Sequence, residues 1–240
     1  MKSLLLMGFC AVFSSFAMGQ QTILNIPSAD VLDKGQIYSR VDTAFFPSSQ
    51  TAFLAPNFIF GQGHGLEAGV NINAFGVPAD VANRSIVPNF KWKILSTKQD
   101  ARARFDMYLG DQVFLPTFHR SFDAGTYAYA AGALTIHKDT RLTFGGWDST
   151  NVVINGNKGG GLLGMEWTVA HQKDRNLVTL AADWQSGRAA NGALAVGAMY
   201  FPTDRWMLIP AFQLANSGDH SANGIEMFIG YLLKAGTPTK

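Results

Sequence analysis

Leu66-Glu67-Ala68-Gly69-Val70-Asn71-Ile72-Asn73-Ala74 carries Leu, Ala, Val, Ile and Ala on its even positions and Glu, Gly, Asn and Asn on its odd ones. Ile86-Val87-Pro88-Asn89-Phe90-Lys91-Trp92-Lys93-Ile94 repeats the parity, apolar on even positions and mostly polar on odd ones. A period of two is that of an extended strand, whose successive side chains leave opposite faces of a sheet. The pattern recurs along the chain and predicts about twelve strands, near 36–46, 51–60, 65–75, 85–95, 101–113, 124–137, 140–148, 160–170, 176–186, 192–201, 205–215 and 223–233. Each is close to the roughly 9–11 residues that cross a bilayer at a tilt.

Composition agrees with that reading. Hydrophobic residues are 47% of the 240, charged residues only 15% and aromatics 12%, with 25 glycines. Charge is well below the roughly 25% usual for soluble domains, yet long apolar runs are missing from the strand region, a combination expected of a membrane β-barrel. The formal net charge of +2 implies no nucleic-acid partner.

The N-terminus predicts a secretory signal peptide over residues 1–19. Lys2 precedes the apolar run Leu4–Phe16, and Ala17-Met18-Gly19 offers a small-x-small cleavage site. Cys10, the only cysteine, lies inside that run, so a mature chain from Gln20 has no thiol. Residues 20–34 are expected to be a periplasmic segment outside the barrel, with one capped helical turn over Ser28–Asp33 as the other reading. The barrel would then span 35–233, followed by a tail of 234–240.

Connections alternate in length. Gly61–His64, Ser96–Asp100, Lys138-Asp139, His171–Arg175 and Pro202–Asp204 are short, while the connections between them are mostly longer and rich in Gly, Asn, Ser and Asp. Short turns on the periplasmic side and longer loops outside is the outer-membrane arrangement. Phe60, Trp92, Trp167, Tyr200, Trp206 and Tyr231 fall on the apolar parity near the short-turn end, as an aromatic girdle at a membrane interface does. A barrel of this size lined by Leu, Val and Trp would hold a large apolar void, so the polar parity is expected to face a wet lumen. The fold class is therefore all-β, a transmembrane antiparallel up-and-down β-barrel of about twelve strands; a β-sandwich burying the apolar parity is the structural rival.

The lumen candidates are Lys91, Lys93, Arg102, Arg104, Arg40, Glu67 and Asp106. A hairpin closed on Ser96–Asp100 would set Lys93 opposite Arg102 and Lys91 opposite Arg104, like-charge pairs that are destabilising. One reading of this basic patch is a preference for anionic solutes. The other is a charge ladder, neutralised by Glu67, Asp106 and further lumen acids, that props the barrel open.

The five histidines lack metal-site spacing, and no metal or cofactor is expected. His119 and His220, with Ser121 and Ser217 near them, are the only candidates for a barrel hydrolase, and no catalytic assignment is made.

Phe58–Val70 resembles a hairpin common in bacterial outer-membrane barrels, among them transporters found beside aromatic-compound degradation pathways; the matching residues are Phe60, Gly61, Leu66, Glu67, Gly69 and Val70. The resemblance implies an outer-membrane barrel and names no solute. Many such barrels end on an aromatic residue read by the assembly machinery, whereas this chain runs on past Leu233 through Lys234–Lys240. The expected activity is channel-like passage of small polar solutes, with outer-membrane lipid and the barrel assembly machinery as partners. The alternatives are a closed-lumen structural or binding barrel, and a hydrolase.

Overall fold

Alternation carries each segment into a strand, and neighbouring strands pair in sequence order. The computed structural model describes residues 22–73, 75–77, 85–97, 103–117, 124–150, 158–173, 175–187, 192–216 and 223–234. The strands are β1 (Ile37–Phe46), β2 (Thr51–Gly63), β3 (Leu66–Asn73), β4 (Phe75–Val77), β5 (Ser85–Ser96), β6 (Ala103–Pro116) and β7 (Gly125–Ile136). They continue as β8 (Thr140–Ser149), β9 (Gly159–Gln172), β10 (Arg175–Gln185), β11 (Ala193–Tyr200), β12 (Trp206–Ala215) and β13 (Gly224–Lys234). The short β4 pairs with β2 just beyond β3. β3 and β4 thus belong to one crossing, and thirteen strands make twelve crossings.

β1 pairs antiparallel with β13 on one side and with β2 on the other, so the sheet closes and has no free edge. A ring of this kind excludes the β-sandwich. Both chain ends of the wall, Ile37 and Lys234, pair with each other at the short-turn end.

The two parities take opposite sides of the wall. In β5, Ser85, Val87, Asn89 and Lys91 are buried while Ile86, Phe90 and Trp92 are exposed. Lys91 is 0% exposed and its neighbour Trp92 47%. Leu163, Val196, Phe212 and Ile225 continue the apolar exterior on other strands. A continuous apolar outer surface of this extent suits hydrocarbon rather than water. The girdle candidates Phe60, Trp92, Trp167, Tyr200 and Trp206 are all exposed on this outer face toward the short turns, and Tyr231 lies against Trp206 with ring centroids 4.7 Å apart.

The β5–β6 register differs from the sequence expectation. Lys91 pairs with Gly110 and Lys93 with Tyr108, six residues along from the proposed partners Arg104 and Arg102. The hairpin closes later, with Thr97 N–H donating to Phe105 O at 2.9 Å. An even shift leaves every side chain on its own face, so alternation alone could not choose between the registers. The observed one avoids the like-charge pairs and lets Ser96 Oγ reach Asp106 Oδ1 at 2.6 Å. Arg102 lies outside the described residues.

The largest departure concerns the N-terminal segment. Residues 22–34 are neither a helical turn nor an exterior leader: Ile23, Leu24, Ile26 and Ala29 are buried inside the barrel. They form one cluster with inward residues of the wall, including Tyr108, Tyr127, Trp147, Leu162, Met199 and Phe228. The lumen is therefore filled in part by an apolar core rather than by water alone.

Candidate functional site

The segment enters at the short-turn end and doubles back inside. Gly35 N–H donates to Gly61 O at 2.9 Å, and Gly61 N–H to Gln36 O at 2.9 Å, tying its base to β2. A Cβ on Gly61 would collide with the carbonyl oxygens of Asp33 and Leu32. The Phe60-Gly61 step of the hairpin is thus where the segment passes the inner side of the wall on its way into the lumen, and glycine leaves room for it. Thr22 bridges to Pro27, and Ile23 N–H donates to Ile26 O at 2.8 Å, closing a tight turn whose tip is Leu24-Asn25-Ile26.

Asp183 of β10 holds that tip. The N–H groups of Leu24, Asn25 and Ile26 all donate to its Oδ2, at 2.8, 2.7 and 3.0 Å. A turn buried in a lumen has backbone donors no strand can satisfy, and a carboxylate supplies the acceptor with charge assistance. Asn25 Nδ2 donates to Gln213 Oε1 at 2.9 Å, Tyr108 Oη to Pro27 O at 2.7 Å, and Arg40 Nη1 to Thr22 Oγ1 at 2.9 Å. Leu32 N–H donates to Glu67 Oε2 at 3.1 Å. Anchors on β1, β3, β6, β10 and β12 surround the plug on all sides of the lumen. Beside Asp183, its cross-strand partner Gly164 of β9 forms the seat of the plug: a Cβ there would stand 2.6 Å from Ile23 Cδ1 and 2.9 Å from Ile26 Cδ1.

Of the sequence-predicted lumen residues, Arg40, Glu67, Lys91, Arg104 and Asp106 point inward as partnered ions. Lys91 Nζ lies 3.0 Å from Glu67 Oε1, with both side chains essentially unexposed. Arg40 pairs with Asp42 at 2.6 Å and stacks 5.1 Å above the Phe228 ring. Arg104 Nε meets Asp106 Oδ2 at 3.0 Å. Lys93 is half-buried near the short-turn end. Among the described residues Arg40, Lys91 and Arg104 are thus each paired with an acid, the arrangement that the charge-ladder reading expects.

Arg141 was not singled out from the sequence as a site residue, yet it is the centre of the other end of the plug. Its Nε and Nη2 donate to Glu166 Oε2 and Oε1 at 2.5 and 2.6 Å, across the β8–β9 pairing of Arg141 with Glu166. Its Nη1 and Nη2 donate to Asp30 Oδ1 and Oδ2 at 2.8 and 2.7 Å. This two-sided fork latches the plug near the short-turn mouth. Beside it lies a cavity of about 560 Å³, lined at that mouth by Asp30, Arg141, Glu166, Thr135, Thr168 and Thr179 on a polar side and by Met199, Phe201, Met207 and Leu232 on an apolar one.

Toward the long-loop end the inward positions carry aromatics that the polar-parity rule did not anticipate. Tyr127 stacks on Trp147 at 5.7 Å, and Tyr129 packs edge-on to Tyr108 at 6.3 Å. Their signal was present in the sequence, since Tyr108, Tyr127, Tyr129 and Trp147 break the polar pattern on adjacent strands. Among the described residues there is no group of metal-binding side chains. His171 lies 3.1 Å from Asp139 at an exposed turn, and the hydrolase candidates His119 and His220 lie outside the described residues.

No protein-family model matches the chain. No curated protein matches it in sequence. Solved structures do resemble it. The COG4313 outer membrane channel from Pseudomonas putida F1 is 10% identical over 86% of this chain and 98% of that one, with a TM-score of 0.48. Outer membrane phospholipase A from Escherichia coli is 10% identical over 93% and 97%, with a TM-score of 0.44. A FadL homologue of Pseudomonas aeruginosa is 9% identical over 92% and 94%, with a TM-score of 0.36. The structural neighbours of this closed twelve-crossing barrel are bacterial outer-membrane β-barrels, the class that the Phe58–Val70 hairpin resembles.

Proposed function

We propose that this protein is an outer-membrane channel for small polar solutes, held shut in the present state by residues 22–34. The observation that carries the reading is the mismatch between plug and wall. A filler matched to its wall would satisfy it, but here Asn57, Asn89, Gln112 and Gln185 point inward and are buried with side-chain polar atoms that have no protein partner. Such atoms cost free energy unless water reaches them. A wall built for water implies a state in which the lumen is wet.

The plug is also separable. Among the described residues it is joined to the strand ladder by backbone pairs at its base, Gly35-Gln36 on Gly61, and elsewhere by side chains and tip N–H groups. Its withdrawal leaves every ladder pair intact. The short-turn end would face the periplasm, the apolar exterior outer-membrane lipid, and the girdle residues Phe60 to Tyr231 the inner interface; assembly would need the barrel assembly machinery. A permanently plugged structural barrel is the second reading, favoured by the apolar cluster that Ile23, Leu24 and Ile26 form with the wall.

Liposome swelling separates the two. A variant lacking residues 22–34 is expected to admit small neutral sugars at least about tenfold faster than the intact protein, with rates falling as the sugar grows. Equal, negligible swelling from both folded proteins would leave the structural barrel.

A further inference from the structure

The geometry points to Arg141 as a carboxylate receptor at the plug latch: Asp30 occupies it as a tethered stand-in for a small monocarboxylate with an apolar tail, and such a solute frees the latch end of the plug by replacing Asp30. The inference rests on the channel reading only for what release achieves, not for the binding itself.

Three observations carry it. First, the guanidinium is pre-set. Glu166 on the neighbouring strand takes the Nε/Nη2 edge at 2.5 and 2.6 Å and so aims the Nη1/Nη2 edge at one further carboxylate. A planar fork held this way selects bidentate carboxylate over a point charge. Second, the group now filling that edge is exchangeable. The Asp30 side chain is 52% exposed while that of Arg141 is 14% exposed, so the receptor belongs to the wall and its occupant to the removable segment. Two carboxylates already share one cation, and exchanging Asp30 for a free carboxylate leaves the charge at Arg141 unchanged.

Third, the fork opens on a cavity with room for the rest of a ligand. Its volume of about 560 Å³ lies within the roughly 300–1,000 Å³ usual for small-molecule sites. Met199, Phe201, Met207 and Leu232 give it an apolar wall for a tail. Thr135, only 8% exposed, lines the same cavity with a hydroxyl that has no protein partner, a position for a second polar group of the solute.

The test uses hexanoate, with hexan-1-ol as the neutral control, on the full folded barrel in lipid nanodiscs. Calorimetry is expected to show hexanoate binding that tightens about tenfold or more in Asp30→Ala, because an intramolecular competitor at high effective concentration has been removed. Binding is expected to vanish in Arg141→Gln combined with Glu166→Gln, a pair chosen so that no buried carboxylate is left alone. Hexanoate, and not hexan-1-ol, should also speed amide exchange over residues 28–32, at the latch end, in the intact protein. Equal affinity in Asp30→Ala and the intact protein, or equal binding of the alcohol, overturns the proposal. Hexanoate binding that behaves as expected in a barrel that never conducts would support the receptor and sink the channel. Conduction with no hexanoate binding would do the reverse.

Discussion

Asp183→Ala is expected to free the tip of the plug while leaving the barrel folded. Three backbone N–H groups, those of Leu24, Asn25 and Ile26, converge on one carboxylate oxygen within 3.0 Å. Each hydrogen bond to a charged group is worth about 1.5–3 kcal/mol, and the three share one acceptor, so the loss is about 3 kcal/mol rather than the full sum. At about 1.4 kcal/mol per decade, amide protection at these three residues should fall about a hundredfold. Hydrogen exchange followed by mass spectrometry reads this directly, and β1 and β13 serve as internal references for the intact wall. Unchanged protection at the tip would mean that the Ile23 and Ile26 contacts over Gly164, not Asp183, retain it.

Val196→Arg tests which side of the wall meets lipid. Val196 sits mid-strand in β11, 49% exposed on the outer face, between Ala182 of β10 and Phe212 of β12. At a bilayer midplane an outward Arg costs about 2–4 kcal/mol, falling to about 0–1 kcal/mol at the interface. Tyr200 lies on the same face four residues further along, about 13 Å down the strand. Refolding into vesicles across a urea series should therefore show a large loss for Val196→Arg and a small one for Tyr200→Arg. Two equally neutral variants would mean that water, not hydrocarbon, covers this surface.

Those two predictions depend on features of unequal legibility. The strand positions and their faces were readable, because alternation puts Lys91 and Trp92 on opposite surfaces and the size of the barrel puts the polar surface inside. Register was not. Lys93 opposite Arg102 and Lys93 opposite Tyr108 differ by an even number of residues and satisfy the same pattern. What decides between them is the turn and the side-chain pairs it brings together, which parity does not encode.

The plug was hidden for a different reason. Residues 22–34 have no period of two or of 3.6, because an irregular segment satisfies its backbone through partners distant in sequence. Asp183 lies 159 residues from Leu24, and Arg141 lies 111 from Asp30. A hint was present in Ile23, Leu24 and Ile26, a density of apolar side chains that a solvated leader has no use for. Inward Tyr108, Tyr127, Tyr129 and Trp147 were a second, since a wholly wet lumen has no need of four large rings. Gly61 and Gly164 carry no such hint in the sequence, yet both leave room for the plug.

Single-channel recording in planar bilayers, on the intact protein and on the variant lacking residues 22–34, tests the plugged-channel account most directly. The account predicts an intact barrel that is silent apart from rare openings, and a variant with stable discrete steps. In a salt gradient those steps should show no anion preference, because the acids Asp42, Glu67, Asp106, Glu166, Asp183 and Glu226 at least balance the inward cations. A variant that is folded, heat-modifiable and inserted, yet as silent as the intact protein, would contradict it.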